Sequence, residues 1–150
     1  MPYKAQGGGN FNLWGLLRTG QALLEALDSD WDIILLDRGP FDRLAFNEAL
    51  FKQEYISEEE RRRLLIFSQE LSSSVTNKVL FLCLPETSLI RDDRHSQDQK
   101  GTVMNPSFLS VLYESYQHHL LNEADLVLDA ESNGLDEVGL ILTEYLKNLL

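Results

Sequence analysis

The sequence predicts an α/β fold, a doubly wound parallel sheet in three layers, and three observations predict it. First, short continuous apolar runs recur: Ile33 to Leu36, Val79 to Leu84, and the DLVLD run of Asp125 to Asp129. Runs of that length and composition suit strands covered on both faces. Second, the segments between them space their apolar residues at helical intervals. Third, the order is one helix followed by three strand-plus-helix units, which is the alternation of a layered α/β domain.

Each element has its own signal. Asn12 to Leu27 carries Leu13, Leu16, Leu17, Leu23, Leu24 and Leu27 on an amphipathic helix. Asp28, Ser29 and Asp30 break it before the first apolar run, which stops at Asp37, Arg38, Gly39 and Pro40. Leu44 to Phe51 reads as helical. Ser57 and Glu60 form a capping box for a helix running to about Ser72, because hydroxyl and carboxylate can each satisfy the other residue's amide. Pro85 closes the second strand, and a short helical stretch follows to Arg91. Asp92 to Met104 is polar, aperiodic and expected to be a loop. Asn105 can cap a helix with Pro106 at its first position and an apolar face of Phe108, Leu109, Leu112, Tyr116 and Leu120. Leu135 to Leu150 closes the chain as a helix.

With 150 residues and 43% hydrophobic content, the chain is expected to form one domain around a single core. Its formal net charge of −11 argues against nucleic acid and anionic lipid as partners, since both seek a basic face. No apolar run approaches the roughly 18 residues that suggest a membrane span, and the first ten residues lack the apolar core of a signal peptide. A cytoplasmic location is the expectation. The single cysteine, Cys83, lies among Phe81, Leu82 and Leu84 and reads as a small buried hydrophobe.

The stretch Asp32 to Phe46, DIILLDRGPFDRLAF, holds the most chemistry. Ligands of open α/β sheets gather beyond the carboxyl ends of strands, and here a carboxylate and a guanidinium stand at that point, ahead of a glycine that allows a tight turn. Asp37 can hold a magnesium ion directly or through water, and Arg38 can grip a phosphate through two parallel hydrogen bonds. Local features alone serve equally well a turn-capping Asp and an Arg paired to a surface carboxylate.

These residues, in this order, resemble the P-loop kinases of nucleosides and nucleotides, whose familiar members are the thymidylate and deoxynucleoside kinases. Asp37 and Arg38 look like the acidic residue and arginine that end that family's third strand. VLFLCLPETSLIRDDR looks like the fourth strand and the helix leading to an arginine-bearing lid, with Arg91 and Arg94 at the lid positions. ADLVLDA looks like the fifth strand, and the loop of Ala130, Glu131, Ser132 and Asn133 stands where such kinases rest the adenine ring. The resemblance implies transfer of the γ-phosphoryl group of ATP, with Mg2+, to a nucleoside or nucleotide. Asp37 would serve magnesium or the acceptor, and Arg18, Arg38, Phe41 and Asp42 the acceptor side. Arg91 and Arg94 would close over the transferring group.

The departure is as plain as the likeness. GxxxxGK[ST] occurs nowhere: Gly7, Gly8 and Gly9 lead into Asn10 and Phe11, so the successive amides, lysine and hydroxyl of a phosphate cradle are missing. The expectation is a partial domain, residues 1–150, that lacks the first strand and P-loop and is inactive by itself, with the missing part supplied upstream. The alternative is a non-catalytic binding module that buries its exposed sheet edge against a partner or a second copy. His118 and His119 are adjacent and so ill placed to share a metal, whose helical ligands sit three or four apart. Trp14 and Trp31 read as packing residues, although Trp14, Phe11 and Phe41 could stack on a base.

Overall fold

The computed structural model describes residues 9–36, 38–87 and 106–150. The element order is α1 (Gly9–Leu27), α2 (Pro40–Lys52), α3 (Glu58–Ser73), β1 (Val79–Leu82), α4 (Pro106–His119), β2 (Leu126–Asp129) and α5 (Leu135–Lys147), and residues 85–87 after β1 are also helical. The described chain is mostly helical. Its sheet has two parallel strands in the register Val79↔Leu126 to Leu82↔Asp129.

Local chemistry accounts for the helix ends. The amide of Ser57 donates to Glu60 Oε2 at 2.8 Å and the amide of Glu60 donates to Ser57 Oγ at 3.3 Å, completing the expected capping box of α3. Pro40 stands in the first turn of α2, where its missing amide hydrogen costs nothing, and Gly39 before it provides no side-chain cap.

Helix α2 is the hub. One of its faces enters a core with Leu16, Leu50, Ile56, Leu64 and Phe108, joining α1, α3 and α4. The other packs Phe41, Leu44 and Ala45 against Leu80 and Leu82 of β1 and against Leu120. Helix α1 approaches α3 closely because Gly20 is bare: a Cβ there would lie 3.3 Å from the methyl carbons of Leu71. A polar seam crosses the first core. Glu48, buried on α2, takes the Arg61 guanidinium of α3 at 2.7 Å, and Asn47 Nδ2 donates to Ser68 Oγ at 3.2 Å.

Three expectations are corrected. Residues 33–36 are not a strand: among the described residues the segment 30–36 makes no backbone–backbone hydrogen bond, and β1 pairs with β2 alone. An apolar run becomes a strand only when a neighbouring edge supplies its donors and acceptors, and among the described residues none does so for 33–36. The sheet is also covered on one face rather than two, with Leu80 and Leu82 buried while Val79 and Phe81 are exposed. Trp31, expected to pack, is 78% exposed, because the segment that carries it is not docked into the sheet. Among the described residues no helix is long and apolar enough to cross a membrane.

Candidate functional site

A cleft of about 220 Å³ opens where the chain enters α2. Leu36 and Arg38 to Asp42 form one wall; Val75 and Asn77 to Phe81 form the other. Arg38 sits in the left-handed region with φ of 53°, a conformation that costs a non-glycine residue of the order of 1 kcal/mol or more. It stands directly ahead of the uncapped first turn of α2, where backbone amides and the helix dipole favour an anion. Its guanidinium is exposed, and among the described residues it forms no ion pair or side-chain hydrogen bond. Lys78 adds a second positive charge on the opposite wall. Its Nζ lies 5.3 Å from the centre of the Phe41 ring and 4.0 Å from Glu123, so its charge is only loosely compensated.

Behind the cleft, Asp42 on α2 accepts a 2.5 Å hydrogen bond from the hydroxyl of Tyr116 on α4. Burial first, and then the Asp42 carboxylate, push the Tyr116 hydroxyl well above its ordinary value, so it remains a donor throughout the working pH range. Arg43, next along, is partly withdrawn from water, and burial lowers its guanidinium below the usual arginine range. The group lies against the backbone of Gly15 on α1: a Cβ there would sit 3.3 Å from Nη2. Arg43 Nε is buried without a hydrogen-bond partner.

Of the residues singled out in the sequence, Arg38, Phe41 and Asp42 come together in this cleft. Phe41 does so only by its edge, being 7% exposed and committed to the core beneath Lys78, which leaves no ring face for a base. Arg18 does not line it; on α1 it donates to Gln21 at 2.8 Å. Ala130, Glu131, Ser132 and Asn133 lie beyond the C-terminal end of β2 and do not line it either. They form a turn around Asp129, whose two carboxylate oxygens accept from the amide of Glu131 and the hydroxyl of Ser132, each at 2.9 Å. Those bonds hold the Asp129 carboxyl below its ordinary range.

The crevice expected beyond the carboxyl ends of the strands is therefore displaced toward the start of β1. Residues 33–36 are not hydrogen-bonded into the sheet, so nothing aligns their end with the ends of β1 and β2. Asp37, Arg91 and Arg94, and the loop of residues 92–104, lie outside the described residues. Among those described, no cluster of three or more His, Cys, Asp or Glu could hold a metal ion. Cys83 is half-buried rather than buried, with Sγ 3.9 Å from Glu131. The sequence assigns no site role to Tyr116 or Lys78, because one stands on the apolar face of its helix and the other leads into a strand as an ordinary surface charge; only tertiary packing brings them here.

His119, near the Glu48–Arg61 pair, supplies a pH test. Burial lowers it below the usual histidine range, so the folded state prefers the neutral ring. The unfolded chain then binds the extra proton, and stability falls as pH drops through about 6.5. Melting temperature should decline from pH 7.5 to 5.5, and His119→Gln should flatten that part of the profile. An equal decline in the variant would assign it to other groups.

Comparison of the chain with protein-family models, with curated proteins and with solved structures found no match.

Proposed function

We propose that the chain is the acceptor-side part of a cytoplasmic P-loop-kinase-like domain of doubly wound α/β type, working in ATP-dependent phosphoryl transfer to a nucleoside or nucleotide. The observation that carries this reading is Arg38: an uncompensated guanidinium in a left-handed conformation, fixed ahead of an uncapped helix N-terminus and facing Lys78 across a cleft. Fixed positive groups around a phosphate are what phosphoryl transfer asks of a protein, since its catalysis is mostly positioning and charge neutralisation. Arg38 would take an acceptor phosphate in bidentate fashion, with the α2 amides behind it.

The described residues do not fit magnesium or the triphosphate. They contain no group of three or more His, Cys, Asp or Glu that could hold a metal ion and no run of amides followed by lysine, so no step is derived through either group. Such parts would have to come from a strand and phosphate-binding loop set between residues 33–36 and β1. A strand there would give both unpaired edges a partner and bring Arg38 toward the carboxyl ends of the strands. An in-frame strand ending in GxxxxGK[ST] upstream of Met1 is the result this reading expects. In a transfer-competent form, Arg38→Ala should lower kcat/KM at least tenfold, roughly 1.4 kcal/mol, with the fold intact. Unchanged kinetics would remove Arg38 from the site.

A second reading, a non-catalytic interaction module, is favoured by the apolar side chains beside the free edge of β1. Trp31 is 78% and Leu35 69% exposed, and both line a hollow shared with Val79. An in-frame stop codon upstream, together with self-association of the 150-residue chain, would favour it.

A further inference from the structure

Two hollows run together between residues 31–36 and the start of β1. The cleft of about 220 Å³ that holds Arg38 shares Leu36, Val75, Asn77 and Val79 with a second hollow of about 290 Å³. Trp31 to Leu36 form one wall of the second hollow and Ser74 to Asn77 with Val79 form the other, while Leu27, Leu146 and Leu149 add an apolar lining. Both walls of this trough carry backbone groups without a strand partner. In a parallel pair, alternate residues turn their amide and carbonyl to the neighbouring strand. The carbonyls of Lys78 and Leu82 accept from the amides of Asp125, Leu126 and Ala130 around β2, so the polar groups of Val79 and Phe81 point to the other edge of β1. Among the described residues no strand pairs with that edge. Opposite it, the segment 30–36 makes no backbone–backbone hydrogen bond among the described residues.

Only an extended chain offers donors and acceptors to two facing edges at once, and the apolar lining selects apolar side chains at its alternate positions. The walls also fix its direction. From the second hollow to the first, residue numbers rise on both walls, so a strand running parallel to both would end beside Arg38. Charge agrees with that direction. At the Arg38 end, Arg38 and Lys78 against Asp42 leave an excess of positive charge in a chain of net −11, whereas the charged residue lining the other hollow is Asp32. A second copy fits poorly, because its strands are built into a folded domain and its own charge of −11 repels the first. We infer that the trough is a docking site for the extended, apolar C-terminal tail of a partner protein, added as a strand between residues 33–36 and β1 with its terminal carboxylate on Arg38. The inference names a partner for the interaction-module reading and rests on it. The fork of the Arg38 guanidinium suits a carboxylate as it suits a phosphate, so such a tail and a nucleotide would exclude each other.

The probe is the soluble peptide acetyl-Lys-Val-Thr-Val-Thr-Val, whose lysine would lie toward Asp32 and whose free carboxylate would reach Arg38. It is titrated into the 150-residue chain as the free acid and as the C-terminal amide, with calorimetry for affinity and hydrogen exchange for strand pairing. The acid should bind one to one, and the amide about tenfold more weakly, the scale of a hydrogen bond between charged groups. Arg38→Ala should weaken the acid by about the same factor and leave the amide unchanged. With the acid bound, the amides of Val79 and Phe81 should exchange more slowly than in the free chain. Equal affinity for acid and amide, an Arg38→Ala variant that keeps their difference, or binding without protection of Val79 and Phe81 would overturn the inference. Should Arg38→Ala fail to fold, the acid–amide difference and the exchange pattern of the wild type still decide. A chain that self-associates in sedimentation but binds no peptide overturns the inference and keeps the interaction-module reading. A chain that does neither removes both.

Discussion

Phe108→Ala lowers the unfolding free energy by about 3–5 kcal/mol, the cost of deleting a fully buried aromatic side chain from a packed core. Phe108 is 0% exposed and is the point where four helices meet. Its ring stands edge-on to Phe46 at 5.5 Å and tilted toward Tyr55 at 6.2 Å, with Leu16, Leu50, Ile56 and Leu64 around it. Truncation removes the transfer free energy of the ring and leaves a void that helices on four sides cannot close together. Domains hold only about 5–15 kcal/mol in all, so this variant should lose most of its cooperative transition. Chemical denaturation followed by circular dichroism measures it. A change under about 1 kcal/mol would mean that α4 does not seal this core as described.

Arg61→Ala is the second large effect, for a different physical reason. Glu48 is 5% exposed on α2, and its carboxylate receives the Arg61 guanidinium through Nε at 2.9 and 3.0 Å and through Nη2 at 2.7 Å. Arg61 also reaches Glu58 and lies 4.9 Å over the ring of Phe51, so its stem and head are both engaged. Removing it strands a buried carboxylate, which costs about 3–5 kcal/mol for a fully buried pair; the solvent that reaches Arg61 reduces the expectation to about 2–4. Replacing both partners, Glu48→Leu with Arg61→Met, should recover most of the loss, because neither variant group then needs an ionic partner. If Arg61→Ala alone were neutral, water would have to reach Glu48 by a path the packing of α2 on α3 does not provide.

The helices were legible in the sequence because their signals are local. Ser57 and Glu60 are three residues apart and satisfy each other wherever the chain lies, and Pro106 marks a start by the same short-range logic, whereas Pro40 marks the end of the preceding run in the sequence and its helix was legible only from Leu44. Strands β1 and β2 were legible in position but not in environment. An apolar run such as Val79 to Leu84 reveals that it can be buried, whereas the number of covered faces depends on helices elsewhere in the chain. Residues 33–36 show the limit most clearly, since a strand is a relation between two edges and no partner is written into DIILLD itself. The site divides in the same way. Arg38 stands out because it follows an apolar run and precedes a glycine and a proline, whereas Asp42 comes only with the family resemblance. Phe41 was assigned to a ligand and turned out to belong to the core, and Arg18 and residues 130–133 lie elsewhere. Tyr116 joins Asp42 across 74 positions of sequence, and no periodicity encodes that hydrogen bond.

The central claim is that the cleft ahead of α2 binds a phosphate through Arg38, and a nitrogen-15 NMR titration of the 150-residue chain with a nucleoside monophosphate at low salt tests it most directly. The absent cradle and the net charge of −11 keep the expected affinity weak, no tighter than about millimolar, or −4 kcal/mol. Saturable shifts should nonetheless centre on Arg38, Gly39, Asp42 and Lys78, weaken as salt rises, and vanish in Arg38→Ala. Shifts centred instead on Ala130 to Asn133, or no saturable shift at any residue of the cleft, would contradict the account.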